Sequence, residues 1–246
     1  MENQRAVETC LLAGKIMLQS GGETYRVEDT MTRMAQACGI HYSHSFVTPT
    51  GIIFSVDGAE TTRLVRISDR TTDLKKVTIV NSISRKLTNA EISIDDAYNE
   101  LKGIERANLL YPLWARIAAA FISSGCFLIM FMGKWHDFLP AAICGGMGFT
   151  GLIYFHRLIQ LKFFAEFLAS LMIGLVALAE VKLGLGSDMD KIIIGSVMPL
   201  VPGVLITNAI RDLIAGHLVA GLSKGAEAFL TAFAIGSGIA IVFSAI

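Results

Sequence analysis

The spacing of apolar residues predicts two helices at the start of the chain. Apolar side chains recur every three or four positions over residues 4–19 and again over 27–38, which is typical of amphipathic helices. Ser20 and Glu23 lie between these stripes at the spacing of a capping box, and Gly39 follows the second stripe. The pattern therefore predicts a helix that stops near Ser20, then a second helix that ends at Gly39.

The apolar period changes to two after Gly39. Residues 40–47, 51–56 and 61–67 are β-branched or aromatic runs separated by turn residues, so we expect a small antiparallel meander. Helical spacing returns near 72–88 and 93–109. Helices and a short sheet together predict an α/β domain.

Long apolar segments follow Pro112. A helix needs about 20 apolar residues to cross a bilayer. We expect five spans, at about 113–132, 138–155, 163–181, 192–210 and 226–246. The fold class is therefore an α-helical integral membrane protein with an N-terminal α/β domain.

Charge supports a division into residues 1–111, a cytoplasmic α/β domain, and residues 112–246, a transmembrane domain of five helices. Residues 1–112 hold 27 of the 42 charged side chains, although 53% of the whole chain is hydrophobic. The charges of the first part alternate in sign and form no basic stripe, which argues against a nucleic-acid partner. The four cysteines form no close pair, and we expect no metal site.

Loop charges orient the spans. Arg157, Lys162, Arg211 and Lys224 fall on the side that also holds the charged N-terminal domain, and fewer lysines fall on the other side. Because positively charged loops stay inside, the N-terminus is expected in the cytoplasm. The expected localisation is multi-pass, in a bacterial inner membrane.

The fourth span contains two helix-breaking residues near its middle. Pro199 removes the hydrogen bond to the carbonyl of Gly195, and Pro202 removes the bond to Met198. Gly203 then permits a bend or a close approach. Transporters with interrupted helices bind substrate at such breaks. The alternative is a proline kink that serves packing alone.

Polar residues follow the break. A half-helix beginning near Val204 would direct free N–H groups toward the break, an arrangement that suits a carboxylate. Thr207 and Asn208 could supply hydroxyl and amide partners, and Arg211 a planar fork. Arg211 could instead pair with Asp212 or extend to lipid headgroups. Together with Pro199, Pro202 and Gly203, these four residues are the candidate substrate-binding residues.

Two carboxyls occupy the third span. Glu166 and Glu180 are fourteen residues apart, nearly on one helical face and roughly 21 Å apart along the axis. They are a possible proton relay, although solvation near the ends of the span is a simpler explanation. The sequence shows no nucleophile motif, phosphate loop or metal-ligand cluster. We therefore expect a non-enzymatic protein without cofactors, and the alternative is a membrane-anchored enzyme or regulatory domain with a hydrolase-like soluble part.

Two motifs resemble those of the threonine/serine exporter family. The first is the run of residues 202–216, which includes Pro202, Gly203, Thr207, Asn208, Arg211 and Asp212. The second is the run of residues 20–28, which includes Ser20, Gly21, Gly22, Glu23, Thr24, Arg26, Val27 and Glu28. One N-terminal domain with about five spans is similar to the larger subunit of the two-component branch of this family, which exports dicarboxylates such as succinate.

The resemblance implies a substrate and a partner. The substrate would be threonine or serine for the family at large, or a C4-dicarboxylate such as succinate for the two-component branch. Fused members of the family carry a second set of spans, so a second small membrane subunit is expected to supply them here, and the alternative is a second copy of this chain. Glycine-rich spans two and five are the candidate contact faces.

Overall fold

The computed structural model describes residues 2–57, 62–159, 161 and 163–244, with the side chains described from Gln4 onward. The predicted turn at Gly58, the first residue of the predicted third strand, Lys162 and both chain ends lie outside the described residues. The chain divides into two compact units. Unit 1 comprises Met1–Leu110 and Gly203–Ala226, and unit 2 comprises Tyr111–Pro202 and Glu227–Ile246.

The described part of unit 1 contains four N-terminal helices and a three-stranded sheet. The helices are α1 (Glu2–Gln19), α2 (Thr24–Ala37), α3 (Leu74–Thr88) and α4 (Ile94–Arg106), and the strands are β1 (Ser43–Thr48), β2 (Gly51–Val56) and β3 (Arg63–Arg66). The sheet is antiparallel in the order β1-β2-β3, with Phe46 opposite Ile53 and Ile53 opposite Leu64. The predicted helices and meander are therefore present, and the helices bury their apolar stripes in one core.

The predicted capping box at Ser20 and Glu23 is wrong. Glu23 is the N-cap residue of α2, but its side chain makes no capping hydrogen bond. The Glu23 carboxylate instead contacts two arginines, and Gly21 adopts a left-handed conformation with φ of 85°. A glycine at that position ends α1 without strain and leaves the Glu23 side chain available for distant partners.

The C-terminal segment of unit 1 is a helical hairpin. Helix α9 (Gly203–Ile214) is followed by Gly216, with φ of 87°, and then by α10 (Leu218–Ser244), whose first nine residues belong to unit 1. The helix that contains the expected fifth span therefore begins at Leu218, eight residues before the expected start of the span at residue 226.

Unit 2 is built from the remaining helices. They are α5 (Leu113–Met130), α6 (Phe138–Leu158), α7 (Phe164–Lys182), α8 (Met189–Val197) and the rest of α10, with short 3₁₀ turns at Trp135–Asp137 and Met198–Leu200. Glycines allow these helices to approach closely. A Cβ atom at Gly195 would lie 2.9 Å from the carbonyl oxygen of Ser124, so a larger residue would force the backbones of α5 and α8 apart.

Among the described residues, four helices are long and apolar enough to cross a membrane. They are Leu113–Met130, Trp135–Leu158, Phe164–Lys182 and Leu218–Ser244. A fifth span is present if a bent pair of helices is counted as one. This pair is long and apolar enough only when its two parts, Met189–Leu200 and Gly203–Ile214, are taken together. The described residues thus have the helices of an integral membrane protein, and the break near Pro199 and Pro202 interrupts the expected fourth span.

Candidate functional site

The two sequence motifs meet inside unit 1, although about 190 residues separate them in the chain. The loop between α1 and α2 carries Gly21, Gly22 and Glu23, and it lies against the polar face of α9. The Asn208 side chain donates a hydrogen bond of 2.8 Å to the carbonyl oxygen of Gly21. Because this carbonyl belongs to the turn that ends α1, the bond fixes the loop onto α9.

A buried ion pair holds the same loop to the helical hairpin. The carboxylate of Asp212, which is fully buried, accepts hydrogen bonds from Lys224 Nζ at 2.7 Å and from both the backbone N–H and the hydroxyl of Thr24 at 2.9 Å. The Lys224 ammonium also donates to Thr24 Oγ1 and to the Gly22 carbonyl oxygen. All three ammonium protons therefore have acceptors, so the buried pair has the additional hydrogen bonds that offset part of its desolvation.

Glu23 joins two arginines at the edge of this network. Its Oε1 atom lies 2.6 Å from Nη1 of Arg211, and its Oε2 atom lies 3.2 Å from Nε of Arg26. The Glu23 side chain is 8% exposed, whereas those of Arg211 and Arg26 are 54% and 39% exposed. Since a guanidinium carries five N–H donors, both arginines keep donors that can bind a ligand.

A cavity of about 590 Å³, here called the motif cavity, lies beside these three residues and within unit 1. Its charged lining consists of Glu23, Arg26 and Arg211, which gives a formal net charge of +1. Its neutral polar lining includes Asn81, Thr207 and Asn208, and aliphatic side chains and glycines contribute to the rest of the wall. A cavity of this size with a few convergent polar groups fits a small metabolite that bears a carboxylate.

Glu28 of the N-terminal motif lies close to α9 and α10 but does not line the motif cavity. Its Oε1 atom accepts a 2.9 Å hydrogen bond from the backbone N–H of Val47 and lies 3.7 Å from Nδ1 of His217. Burial raises the pKa of the Glu28 carboxyl above its ordinary value. These contacts connect β1, α2 and the hairpin, so we assign Glu28 a structural role.

The predicted site residues separate into three groups. Gly203, Thr207, Asn208 and Arg211 line the motif cavity, as do Gly21, Gly22, Glu23 and Arg26. Asp212 lies in the buried network, and Ser20 is buried where its carbonyl oxygen accepts from the backbone N–H of Asp73. Pro199 and Pro202 belong to unit 2, and the boundary between the units falls between Pro202 and Gly203.

Glu166 and Glu180 both lie on α7 in unit 2. Glu166 Oε1 is 3.3 Å from Nε2 of His156. Glu180 is 7% exposed, although it lies near the end of its helix. In both carboxyls the Oε2 atom is buried and has no hydrogen-bond partner among the described residues. Unpartnered buried oxygens of this kind require an explanation beyond interfacial solvation.

Sequence reasoning missed Lys224 and Thr24 as members of the site. Lys224 was counted only as a loop charge, because the fifth span was expected to begin after it. Its signal was a charged residue within the apolar run that starts at Leu218, since such a residue needs a partner. Thr24 lies inside the N-terminal motif, and its hydroxyl bonds to a residue 188 positions away, a contact that no local pattern reveals.

Comparison with known proteins identifies the class. Residues 8–246 match the threonine/serine exporter family, ThrE, so the chain belongs to this family and is a multi-pass membrane protein. This confirms the resemblance carried by the two motifs. No solved structure matches the chain significantly.

Two similar proteins are each named probable succinate transporter subunit YjjP. The one from Klebsiella aerogenes is 27% identical, and the match covers 98% of this chain and 94% of that protein. The one from Escherichia coli K12 is also 27% identical, with 99% and 96% covered. A probable threonine/serine exporter of Mycobacterium tuberculosis is 23% identical over 94% of this chain, but the match covers only 45% of that longer protein.

Proposed function

We propose that the chain is one subunit of an exporter in the bacterial inner membrane and that it binds small carboxylate metabolites in the motif cavity. One observation carries this proposal: residues of both family motifs line a single cavity, where two partly exposed arginines flank one buried glutamate. The names of the similar proteins support succinate as the substrate, with threonine or serine as the second candidate. In this role the chain is a carrier and not an enzyme.

The binding step follows from the geometry of Glu23, Arg26 and Arg211. Glu23 neutralises one of the two positive charges and holds both guanidinium groups in place, so the cavity keeps a net charge of +1. The remaining N–H donors can bind a substrate carboxylate in the planar, two-point manner that favours arginine over lysine. A single net charge also allows release, because an exporter must not hold its substrate tightly.

The binding proposal is tested by substitution of Arg211. Efflux of labelled succinate and threonine is measured from cells that express the chain with a candidate partner subunit. Arg211→Lys keeps the charge but loses the planar fork, so it should lose most transport, and Arg211→Gln should lose all of it. Arg66→Lys, on an exposed arginine of β3, is the matched control. Full activity of Arg211→Lys at equal membrane abundance would exclude two-point binding.

The proposed orientation places the N-terminal α/β domain in the cytoplasm. The basic loop residues support this orientation, because they accumulate on the cytoplasmic side. Reporter fusions at residue 1 and in the loop of residues 156–162 should then report an inside location, and a fusion at residue 246 an outside location. An inside location for residue 246 would contradict five spans.

The partner is proposed to be a second small membrane protein that packs on α10 within the bilayer. Ala232, Gly236 and Ala240 form a small-residue stripe that is exposed in this chain, and a Cβ atom at Gly236 would meet nothing within 4 Å. The glycines of α6 already pack against other helices of this chain. A Cβ atom at Gly145, for example, would collide with Ser124. Small-residue stripes permit close helix contact, which makes α10 the better candidate face.

The α10 contact is tested with Gly236→Leu. This variant should reach the membrane and keep its thermal stability, but it should reduce copurification of the partner, because leucine fills the stripe. Ile241→Leu, at another exposed position of α10, is the control. Undiminished copurification of Gly236→Leu would place the partner elsewhere.

Glu166 and Glu180 are proposed as proton-carrying groups of the transport cycle. The unpartnered buried oxygen of each carboxyl supports this, because an oxygen without a hydrogen-bond donor has a lone pair available for a transferred proton. Glu180→Gln should keep the helix packing and remove the dependence of efflux on external pH. An unchanged pH dependence in both Glu166→Gln and Glu180→Gln would exclude the relay.

A further inference from the structure

A second cavity of unit 1 remains outside the proposed binding step. It has a volume of about 460 Å³ and lies along the polar faces of α2 and α3, and we call it the polar groove. Helix α2 contributes Arg26, Asp29 and Arg33, and α3 contributes Asn81 and Arg85. Arg26 and Asn81 also line the motif cavity, so the two cavities share part of their walls.

The polar groove is formed by residues at helical spacing. Arg26, Asp29 and Arg33 recur at intervals of three and four along α2, and Asn81 and Arg85 are four apart on α3. The apolar stripes of the same helices are buried in the core on their other faces. Facing stripes of two neighbouring helices commonly pack together, but here they are polar and leave an open space.

The groove carries a positive charge. Three arginines and one aspartate give a formal net charge of +2. Arg33 is paired with Asp29 at 2.9 Å, and Arg26 contacts Glu23. Arg85 forms no ion pair with any residue that the structure describes. A groove with this charge and size attracts a small anion that carries more than one negative charge.

We propose that the polar groove is a second anion site, which receives a dicarboxylate substrate and delivers it to the motif cavity. This inference rests on the proposed function. Arg26, which lines both cavities, is the residue through which the anion passes from one to the other. The groove binds through net charge and not through a fixed two-point geometry, because its arginines are spread along two helices.

The proposal predicts a change in apparent affinity and not in maximal rate. Efflux of labelled succinate is measured at several internal concentrations from cells that express the full chain with its partner. Arg85→Gln should raise the half-saturating concentration roughly fourfold, the effect of removing one charge about 5 Å from a carboxylate in water, and should keep the maximal rate. Arg85→Lys should restore the half-saturating concentration, because a point charge is sufficient there. Arg66→Gln, an exposed arginine outside both cavities, is the control.

Two results would overturn the second site. One is a half-saturating concentration for Arg85→Gln equal to that of Arg66→Gln, and the other is a loss of maximal rate without a change in half-saturation. Either result leaves the proposed function intact if Arg211→Gln still abolishes efflux. If Arg211→Gln exports normally, the motif cavity itself is refuted, whatever Arg85 does.

Discussion

Within unit 1, distant parts of the chain are held together by one kind of contact, and within unit 2 by another. In unit 1 the N-terminal loop is fixed to α9 and α10 by buried charge, chiefly through Asp212 and Lys224. In unit 2 the helices are joined by close steric fit, as at Gly195 and Gly238, where an added Cβ would meet backbone atoms. Charged contacts depend on both partners being present, whereas steric contacts depend on the absence of a side chain.

This difference predicts where each unit is sensitive to substitution. Removal of one charge from a buried pair leaves the other charge without compensation. A single substitution in unit 1 should therefore lower the stability strongly, and a double substitution that removes both charges should restore most of it. Addition of one methyl group to a closely packed glycine separates two helices, so unit 2 should respond to small additions. The two units can therefore be tested separately in the same full-length chain.

The largest loss of stability is expected from Lys224→Met. Methionine is similar in length to lysine, but it leaves the fully buried Asp212 carboxylate with Thr24 as its remaining donor. The expected loss is about 3–5 kcal/mol, the usual cost of breaking a buried ion pair. The measurement is thermal unfolding of the purified full chain in detergent.

A double substitution supplies the control for this prediction. In Asp212→Asn with Lys224→Met, the asparagine still accepts from the Thr24 N–H and can donate to the Thr24 hydroxyl, so no buried charge remains. Most of the lost stability should return. Lys75→Met, at an exposed lysine, should change little. A loss for Lys224→Met no greater than that for Lys75→Met would show that the pair does not hold the hairpin.

The next effect is expected in unit 2 from Gly238→Ala. The new Cβ would lie 2.5 Å from the Phe167 carbonyl oxygen and 2.9 Å from the Leu171 backbone nitrogen, so α7 and α10 must move apart. Overpacking of this kind costs about 1–3 kcal/mol. Gly236→Ala, two residues earlier and open to space, should stay within about 0.5 kcal/mol of the parent. Equal melting temperatures for the two variants would refute close packing at Gly238.

The prolines test the role of the break between α8 and α9. Replacement of Pro199 and Pro202 by alanine should allow helical hydrogen bonds across the break, keep membrane insertion and reduce succinate efflux about tenfold or more, which corresponds to about 1.4 kcal/mol in the barrier. Pro112→Ala, at the exposed N-cap of α5, is the control. Near-normal efflux of the double variant would leave the break with a packing role only.

The same contrast explains what the sequence could predict. Helices α5, α6 and α7 were predicted to within a few residues, because hydropathy and length are local properties. The motif residues Glu23 and Arg211 were identified as site candidates, but their pairing was not, since it joins positions 188 apart. The role of Lys224 was missed for the same reason. The start of α10 was misplaced because a lysine interrupts its apolar run.

The smallest effect is expected from a partly exposed carboxylate of unit 1, Glu105 on α4. Hydrogen bonds from Lys15 and, more weakly, from Lys102 lower the pKa of Glu105 below its ordinary value. Between the folded and unfolded pKa values the unfolded chain binds more protons, so the stabilisation is complete above the ordinary carboxyl pKa of about 4.3 and is lost as the pH falls through the folded value. Glu105→Gln should therefore cost about 0.2–1 kcal/mol at pH 7 and nothing near pH 2, as measured by thermal unfolding at both pH values.

Glu100→Gln is the matched control on the same helix, because its carboxylate lies 3.9 Å from Lys86 and is 44% exposed. A difference between Glu105→Gln and the parent that persists at pH 2 would show that packing, and not charge, causes it.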